Sequence, residues 1–231
     1  MDTQVLVALD VPTADDARRI VEDLHAAGLS FGVKIGMELA TATGHSLVQE
    51  IAKEGIYVFD DQKRVDIPNT LKKAAKVQAG FGANMMNCMC AAGPKGISAF
   101  ADACKKDDVT SIGVTVLTTK TDEECQAEFG RTALGQVNFY ARWAQEHGLN
   151  GVVCSPLEIE TVKNNYDLLT VTPGIRPSWS VPNDQKRVTT PAEAVRRGAD
   201  WLVIGRPITS HEYGPPADNL KSVLDEIASV G

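Results

Sequence analysis

Short apolar runs alternate with amphipathic segments along the chain, and this alternation constrains the fold more than any other feature. The runs are rich in β-branched residues and have the length of buried strands. They are residues 5–9, 31–35, 56–59, 85–87, 111–117, 151–154, 168–171 and 201–204. The segments between them have helical apolar spacing. These predicted helices are residues 14–27, 38–53, 71–81, 97–106, 136–147, 157–165, 192–197 and 218–230.

Eight strand-helix units favour a closed barrel over an open, doubly wound sheet. An open sheet usually has fewer strands and a glycine-rich first turn, and no GxGxxG follows the first strand here. The sequence therefore predicts an α/β fold, a single (β/α)8 TIM barrel with parallel strands, with residues 1–231 as one domain. Ser155-Pro156-Leu157-Glu158 and Thr190-Pro191-Ala192-Glu193 have the form of capping boxes and predict two helix starts.

Net charge and hydropathy argue against several classes of partner. The formal net charge of −7 disfavours nucleic acid, and no apolar stretch approaches the roughly 20 residues that a membrane span needs. We therefore expect a cytoplasmic protein with neither nucleic acid nor membrane as partner. An anionic substrate would need a local positive patch.

The cysteines and histidines do not suggest a metal site. The five cysteines lack CxxC spacing, so we expect them to be reduced and packed in the core. The four histidines form no HExxH motif. We therefore expect no metal and no cofactor.

A cluster of alternating charges follows the third apolar run. Its sequence is Asp61-Gln62-Lys63-Arg64-Val65-Asp66. Residues two apart on a strand share a face, so Asp61 and Lys63 should point the same way, with Asp66 just beyond them. On this segment alone, a solvated turn before a helix is the alternative.

The other strand ends supply further candidates, because barrel active sites lie at the carboxyl ends of the strands. Lys34 lies in a run that should be buried, so it needs a carboxylate partner, and Asp61 is the obvious one. Asp10 either caps the first helix or belongs to the site. Arg206, in Gly205-Arg206-Pro207 after the eighth run, fits a phosphate site, which barrels commonly place there. The long segment 173–190 is basic and suggests a lid, with a surface excursion as the alternative.

Several segments resemble, in the same order, those of the orotidine 5′-phosphate decarboxylase family. The most specific is Asp61 to Thr70, which is similar to the family signature DxKxxDIPNT. The others are Leu9-Asp10, Val33-Lys34-Ile35-Gly36, Val114-Thr115-Val116-Leu117-Thr118, Val171-Thr172-Pro173-Gly174-Ile175-Arg176-Pro177, Asp184-Gln185 and Ile204-Gly205-Arg206. The chain departs from the family at Asn87 to Gly93, where relatives often carry a histidine and a Ser-Gly-Gly turn.

The resemblance implies a decarboxylase of pyrimidine biosynthesis that converts orotidine 5′-phosphate to uridine 5′-phosphate and CO2 without a cofactor. Its charged network would be Lys34, Asp61, Lys63 and Asp66, with Lys63 stabilising the C6 anion and donating the proton. It also implies a homodimer in which Asp66, Ile67 and Thr70 enter the neighbouring subunit's site. The nucleotide would be held by Asp10 and Lys34 at the ribose, Thr118 and Pro173 at the base, and Arg176, Gln185, Gly205 and Arg206 at the phosphate.

Two alternatives remain from the sequence. One is a magnesium-dependent sugar-phosphate decarboxylase or aldolase with the same barrel, although Lys34 would repel a metal where those enzymes place an acidic ligand. The other is a catalytically silent barrel that binds nucleotides. The complete set of Lys34, Asp61, Lys63 and Asp66 argues against the silent barrel.

Overall fold

The predicted closed barrel of parallel strands is confirmed. The computed structural model describes residues 3–181 and 188–230. Eight parallel strands pair in chain order, and the first also pairs with the eighth. The strands are β1 (Gln4–Ala8), β2 (Gly32–Ile35), β3 (Tyr57–Arg64), β4 (Met85–Met89), β5 (Thr110–Val114), β6 (Gly151–Val153), β7 (Leu169–Thr172) and β8 (Trp201–Ile204).

Helices follow the strands, and the apolar side chains form two clusters. Leu6, Phe59 and Met85 belong to the smaller cluster. Val5 and Val7, the chain neighbours of Leu6, belong to the larger one with the helices. This is the alternation of inward and outward residues that a barrel strand requires. The helices are α1 (Ala14–Ala26), α2 (Met37–Thr43), α3 (Ser46–Lys53), α4 (Pro68–Ala79), α5 (Gly93–Lys106), α6 (Asp122–Phe129), α7 (Ala133–Glu146), α8 (Ile159–Asn165), α9 (Pro191–Arg196), α10 (Arg206–Thr209) and α11 (Pro216–Ala228).

The helix predicted at residues 38–53 is wrong as one element, because the chain forms α2 and α3 there. The break lies at Gly44, whose φ of 63° and ψ of −152° fall in a region that essentially only glycine adopts. Helix α6 was not predicted. Cys125 is its one buried residue, so the apolar stripe that marks a helix is missing from its sequence.

One of the two predicted helix starts is confirmed. Thr190 caps α9, and its hydroxyl accepts a hydrogen bond of 3.2 Å from the Glu193 N–H. The start predicted at Ser155 is wrong, because α8 begins at Ile159. The Ser155 N–H donates to the Glu158 carboxylate at 2.7 Å, so this carboxylate stabilises a turn that precedes the helix.

Strand β3 extends beyond its predicted end at Phe59 and includes the charged cluster. Its pairing with β4 shifts between Asp60 and Arg64, which is the mark of a β-bulge. The strand therefore carries its charged residues to the carboxyl end of the barrel.

All five cysteines are buried in the core, as the sequence predicted. Burial raises the pKa of Cys90 to about 12, so its thiol stays protonated at neutral pH. Within residues 3–181 and 188–230, none of the helices combines the length and apolar character that a membrane crossing requires.

Candidate active site

A cavity of about 450 Å³ opens at the carboxyl ends of the strands. Its lining includes Thr118, four residues past the end of β5, and Thr209, which the sequence did not suggest. It brings together most of the predicted site residues. These are Asp10, Lys34, Asp61, Lys63, Thr118, Pro173, Arg176, Gly205 and Arg206.

Four of these residues form a row of alternating charges. The Lys34 ammonium lies 2.9 Å from an Asp10 oxygen and 3.4 Å from an Asp61 oxygen. The Lys63 ammonium donates to both oxygens of Asp61 at 2.8 Å. Asp61 is thus the predicted partner of Lys34, although Asp10 lies closer to it. The order Asp10, Lys34, Asp61, Lys63 gives every charge an opposite neighbour.

The central pair of the row is buried and stays ionised. Burial alone would lower the pKa of Lys34, but the charges of Asp61 and Asp10 outweigh it and raise the pKa above 10.5. Burial likewise favours a protonated Asp61, yet Lys34 and Lys63 hold its pKa below the usual 3.8. At neutral pH Lys34 is therefore cationic and Asp61 anionic.

Asn87 on β4 joins the side chain of Asp61 to the backbone of Lys63. Its amide nitrogen donates to Asp61 at 2.6 Å, and its amide oxygen accepts from the Lys63 N–H at 2.8 Å. The side chain is fully buried. Sequence reasoning did not place Asn87 in the site. The available signal was a polar residue inside the apolar run Met85-Met86-Asn87-Cys88, because a buried amide needs partners.

Lys63 has a left-handed backbone conformation, with a φ of 50°. For a residue other than glycine this costs about 1–2 kcal/mol, so surrounding contacts must hold it. The sequence predicted that Asp61 and Lys63 meet because residues two apart share a strand face. They do meet, but at a bulge in β3 and not on a regular strand.

Two arginines supply the positive patch that an anionic ligand needs. Arg176 is buried in the cavity wall, where its Nη1 donates to the Ile175 carbonyl at 2.8 Å. Its Nε is buried and has no hydrogen-bond partner among the described residues. Burial and the nearby charge of Arg206 lower the pKa of Arg176. Two like charges that share a cavity favour an anion between them.

Among the described residues, three of the sequence-predicted ones do not line this cavity. Gln185 lies outside the described residues, as do its neighbours in segment 182–187. Asp66, Ile67 and Thr70 are exposed on the surface, and an Asp66 oxygen accepts the Ile67 N–H at 2.6 Å. Ile67 is 66% exposed, which is unusual for a large apolar side chain.

Among the described residues, no group of three or more histidine, cysteine, aspartate or glutamate side chains is arranged to hold a metal ion. The carboxylates of the cavity are instead paired with lysines. Lys34 contacts both Asp10 and Asp61, and Lys63 contacts Asp61.

Known proteins resemble this chain over nearly its whole length. The profile of the orotidine 5′-phosphate decarboxylase / HUMPS family matches residues 3–222. An orotidine 5′-phosphate decarboxylase of Idiomarina loihiensis is 42% identical, covering 99% of this chain and 98% of the relative. One of Laribacter hongkongensis is 45% identical, covering 89% and 86%.

A solved structure has the same fold. The crystal structure of the orotidine 5′-phosphate decarboxylase of Lactobacillus acidophilus superposes with a TM-score of 0.85 at 30% identity. The superposition covers 98% of this chain and 99% of the other. By its sequence and its fold, the chain belongs to the orotidine 5′-phosphate decarboxylase / HUMPS family.

Proposed function

We propose that the protein decarboxylates orotidine 5′-phosphate to uridine 5′-phosphate and CO2 without a cofactor. The observation that carries this proposal is the row Asp10, Lys34, Asp61 and Lys63 in one cavity with two arginines. Within this family, relatives of 42% and 45% identity bear the name of that enzyme.

The substrate's charged and polar groups match the side chains of the cavity. Arg176 and Arg206, with the small Gly205 beside them, form the phosphate site. Gln185 lies outside the described residues, and we assign it to the same site from the family resemblance alone. Asp10 and Lys34 hold the ribose hydroxyls. We assign the pyrimidine base to Thr118 and Pro173.

The chemical step breaks the bond between C6 of the ring and its carboxylate. The bonding electrons stay on C6 and CO2 leaves. This electron pair lies in the plane of the ring, where the π system cannot absorb it. Lys63 stabilises the negative charge and then transfers a proton from its ammonium to C6. The resulting amine regains a proton from solvent.

Electrostatic stabilisation by Lys63 outweighs repulsion from Asp61 in this scheme. Two like charges about 4 Å apart repel by about 4 kcal/mol at an effective dielectric of about 20. The largest enzymatic rate accelerations require more than about 20 kcal/mol. Repulsion between Asp61 and the substrate carboxylate therefore supplies a minor part. Binding energy from the phosphate and ribose positions the substrate.

We also propose a homodimer with shared sites. Asp66, Ile67 and Thr70 are exposed and lie beside the charged row in sequence, so they are available to a second subunit. Val65, Ile67 and Val77 add exposed apolar surface to this region, at 60%, 66% and 62% exposure. An apolar surface of this kind is typical of subunit interfaces.

The family also suggests the magnesium-dependent chemistry of sugar-phosphate enzymes as a rival. Lys34 argues against it, because its ammonium is paired with both Asp10 and Asp61. A cation at this position repels magnesium. A nucleotide-binding barrel without activity is the second rival.

The direct test is the ultraviolet absorbance of orotidine 5′-phosphate mixed with the purified protein in excess EDTA, with CO2 measured in parallel. We expect rapid conversion to uridine 5′-phosphate with one CO2 per nucleotide. Conversion that requires magnesium, or turnover of a sugar phosphate instead, would favour the first rival. Tight nucleotide binding with no turnover would favour the second.

A further inference from the structure

A buried ion pair lies on β3 beside the charged row but has no part in the chemistry proposed above. An Arg64 nitrogen donates to an Asp60 oxygen at 2.7 Å. Their side chains are only 11% and 1% exposed. Two charges taken out of water are costly, and such a pair often contributes nothing to stability compared with apolar residues of the same size. The pair therefore calls for a role other than stability.

The pair spans the bulge that carries Lys63. Asp60 is opposite Met86 on β4, and Arg64 is opposite Cys88. Residues 61–63 of β3 are therefore opposite Asn87 alone. Arg64 also contacts the Asn87 carbonyl oxygen at 3.4 Å, so it connects both ends of the bulge with the neighbouring strand.

The contact between Asp60 and Arg64 depends on the bulge. Residues four apart on a regular strand are about 13 Å apart, and side chains stand roughly perpendicular to the sheet. A regular strand would therefore separate the two charges. The pair therefore forms only when the bulge is present, so it favours the bulged register of β3 over a regular one.

Lys63 needs such support, because its backbone is left-handed, with a φ of 50°. A bulge gives up ladder hydrogen bonds, so the segment is held by other contacts. The side-chain oxygen of Asn87 accepts a hydrogen bond of 2.8 Å from the Lys63 N–H. Asp60 and Arg64 hold the two ends of the same segment.

We propose that Asp60 and Arg64 form a clamp that closes the β3 bulge and thereby positions Lys63 for proton transfer. Neither residue lines the cavity, so they are positioning residues. The effect on turnover rests on the proposed function, whereas the effect on the backbone of Lys63 does not.

The test replaces both charges at once, with the variant Asp60→Leu/Arg64→Met. The double change removes both buried charges together, so the barrel should fold. It also takes the carboxylate away from His45, whose Nδ1 lies 4.0 Å from an Asp60 oxygen but whose side chain is 32% exposed. We expect kcat for orotidine 5′-phosphate to fall about 100-fold, the size of effect that a displacement of about 1 Å produces, while KM changes less than about twofold. Hydrogen exchange at the Lys63 amide should accelerate at least about tenfold.

The matched control is Lys221→Met/Asp225→Leu. This pair has the same spacing in the chain and a contact of 2.6 Å, but it is exposed on α11. We expect native kcat and native exchange at Lys63. A folded Asp60→Leu/Arg64→Met variant with native kcat and native exchange at Lys63 would overturn the proposal.

A failure of the proposed function, or of the double variant to fold, can be told apart from a failure of the clamp. If the native protein does not decarboxylate the substrate, the proposed function fails, and hydrogen exchange at Lys63 alone decides the clamp. If the double variant does not fold, Arg64→Lys decides, because it keeps the charge but loses the planar fork. We then expect a several-fold fall in kcat and faster exchange at Lys63. Native values of both would refute the clamp.

Discussion

At the scale of single residues, the site converges on Asp61. Its carboxylate contacts Lys34, Lys63 and Asn87 and is almost fully buried. A buried carboxylate without partners would take up a proton. Its two lysines prevent this, so the residue contributes both to the charge of the site and to the stability of the barrel.

Replacing Asp61 should therefore have an effect on stability that depends on pH. Asp61→Asn leaves two lysines beside a neutral group, and breaking a buried pair costs about 3–5 kcal/mol. Because the folded pKa of Asp61 lies below 3.8, the stabilisation is full above pH 3.8 and is lost as the pH falls through the folded value. Urea denaturation from pH 7 downwards should show the difference between native protein and variant shrinking only at acid pH.

The control for this series is Asp225→Asn, which alters an exposed pair on α11. Its effect should stay below about 1 kcal/mol at every pH. A difference for Asp61→Asn that grew on acidification would contradict the assigned direction of the pKa.

Asn87 gives a second prediction at this scale. Asn87→Ala removes a hydrogen bond to Asp61 and leaves the Lys63 N–H without its partner. The unfolding free energy should fall by about 1–3 kcal/mol, the cost of an unsatisfied buried group. Urea denaturation measures it, with the exposed Asn164→Ala on α8 as the control. A loss no larger than that of the control would argue against the bridging role.

At the scale of elements, the sequence identified all eight strands, because residues buried on both sides give continuous apolar runs. The prediction of elements failed where the local sequence does not determine the structure. The polar face of α6 gave no periodic signal, since Cys125 is its one buried residue. The bulge in β3 depends on Asn87 and on the pairing with β4, which are contacts between distant parts of the chain.

The candidate site was likewise predicted in part. Strand ends located Asp10, Lys34 and Lys63, because a parallel barrel brings its carboxyl ends together whatever the details of packing. The left-handed backbone of Lys63 and the pairing of Asp60 with Arg64 could not be predicted, since a regular strand was the expectation.

The break between α2 and α3 gives a prediction for an element. At Gly44, a side chain would meet no atoms within 4 Å, so the cost of Gly44→Ala is backbone strain alone. We expect the unfolding free energy to fall by about 1–3 kcal/mol in urea denaturation. Gly135→Ala, in the first turn of α7, is the control, because its φ is not positive and alanine suits a helix. Its Cβ would lie 3.2 Å from the Thr132 hydroxyl, so we expect an effect below about 1 kcal/mol. Equal effects of the two substitutions would refute strain as the cause.

At the scale of the whole molecule, the barrel gathers the site from most of its strands, but three of the predicted residues remain on the surface. Asp66, Ile67 and Thr70 are exposed and do not line the cavity of their own subunit, so we expect them to act in the site of a second subunit. The proposed dimer therefore completes each site.

Mixing two inactive variants tests the shared sites. In a mixed dimer of Asp66→Asn and Lys63→Ala chains, one site carries both changes and the other carries neither. With random exchange, about one quarter of native activity should return, because half the dimers are mixed and each has one native site. Spectrophotometric assays before and after exchange measure this. Verified mixed dimers without recovered activity would show that Asp66 serves its own subunit.

The central claim is that Lys63 supplies the stabilising charge and the proton. The most direct measurement is single-turnover decarboxylation by Lys63→Ala in EDTA, with uridine 5′-phosphate binding measured by calorimetry and Lys53→Ala, on the exposed end of α3, as the control. We predict that the Lys63 variant binds the nucleotide within about tenfold of native affinity but decarboxylates at least about 1,000-fold more slowly, as expected when one group supplies both charge and proton. Decarboxylation within about tenfold of the native rate would contradict the account.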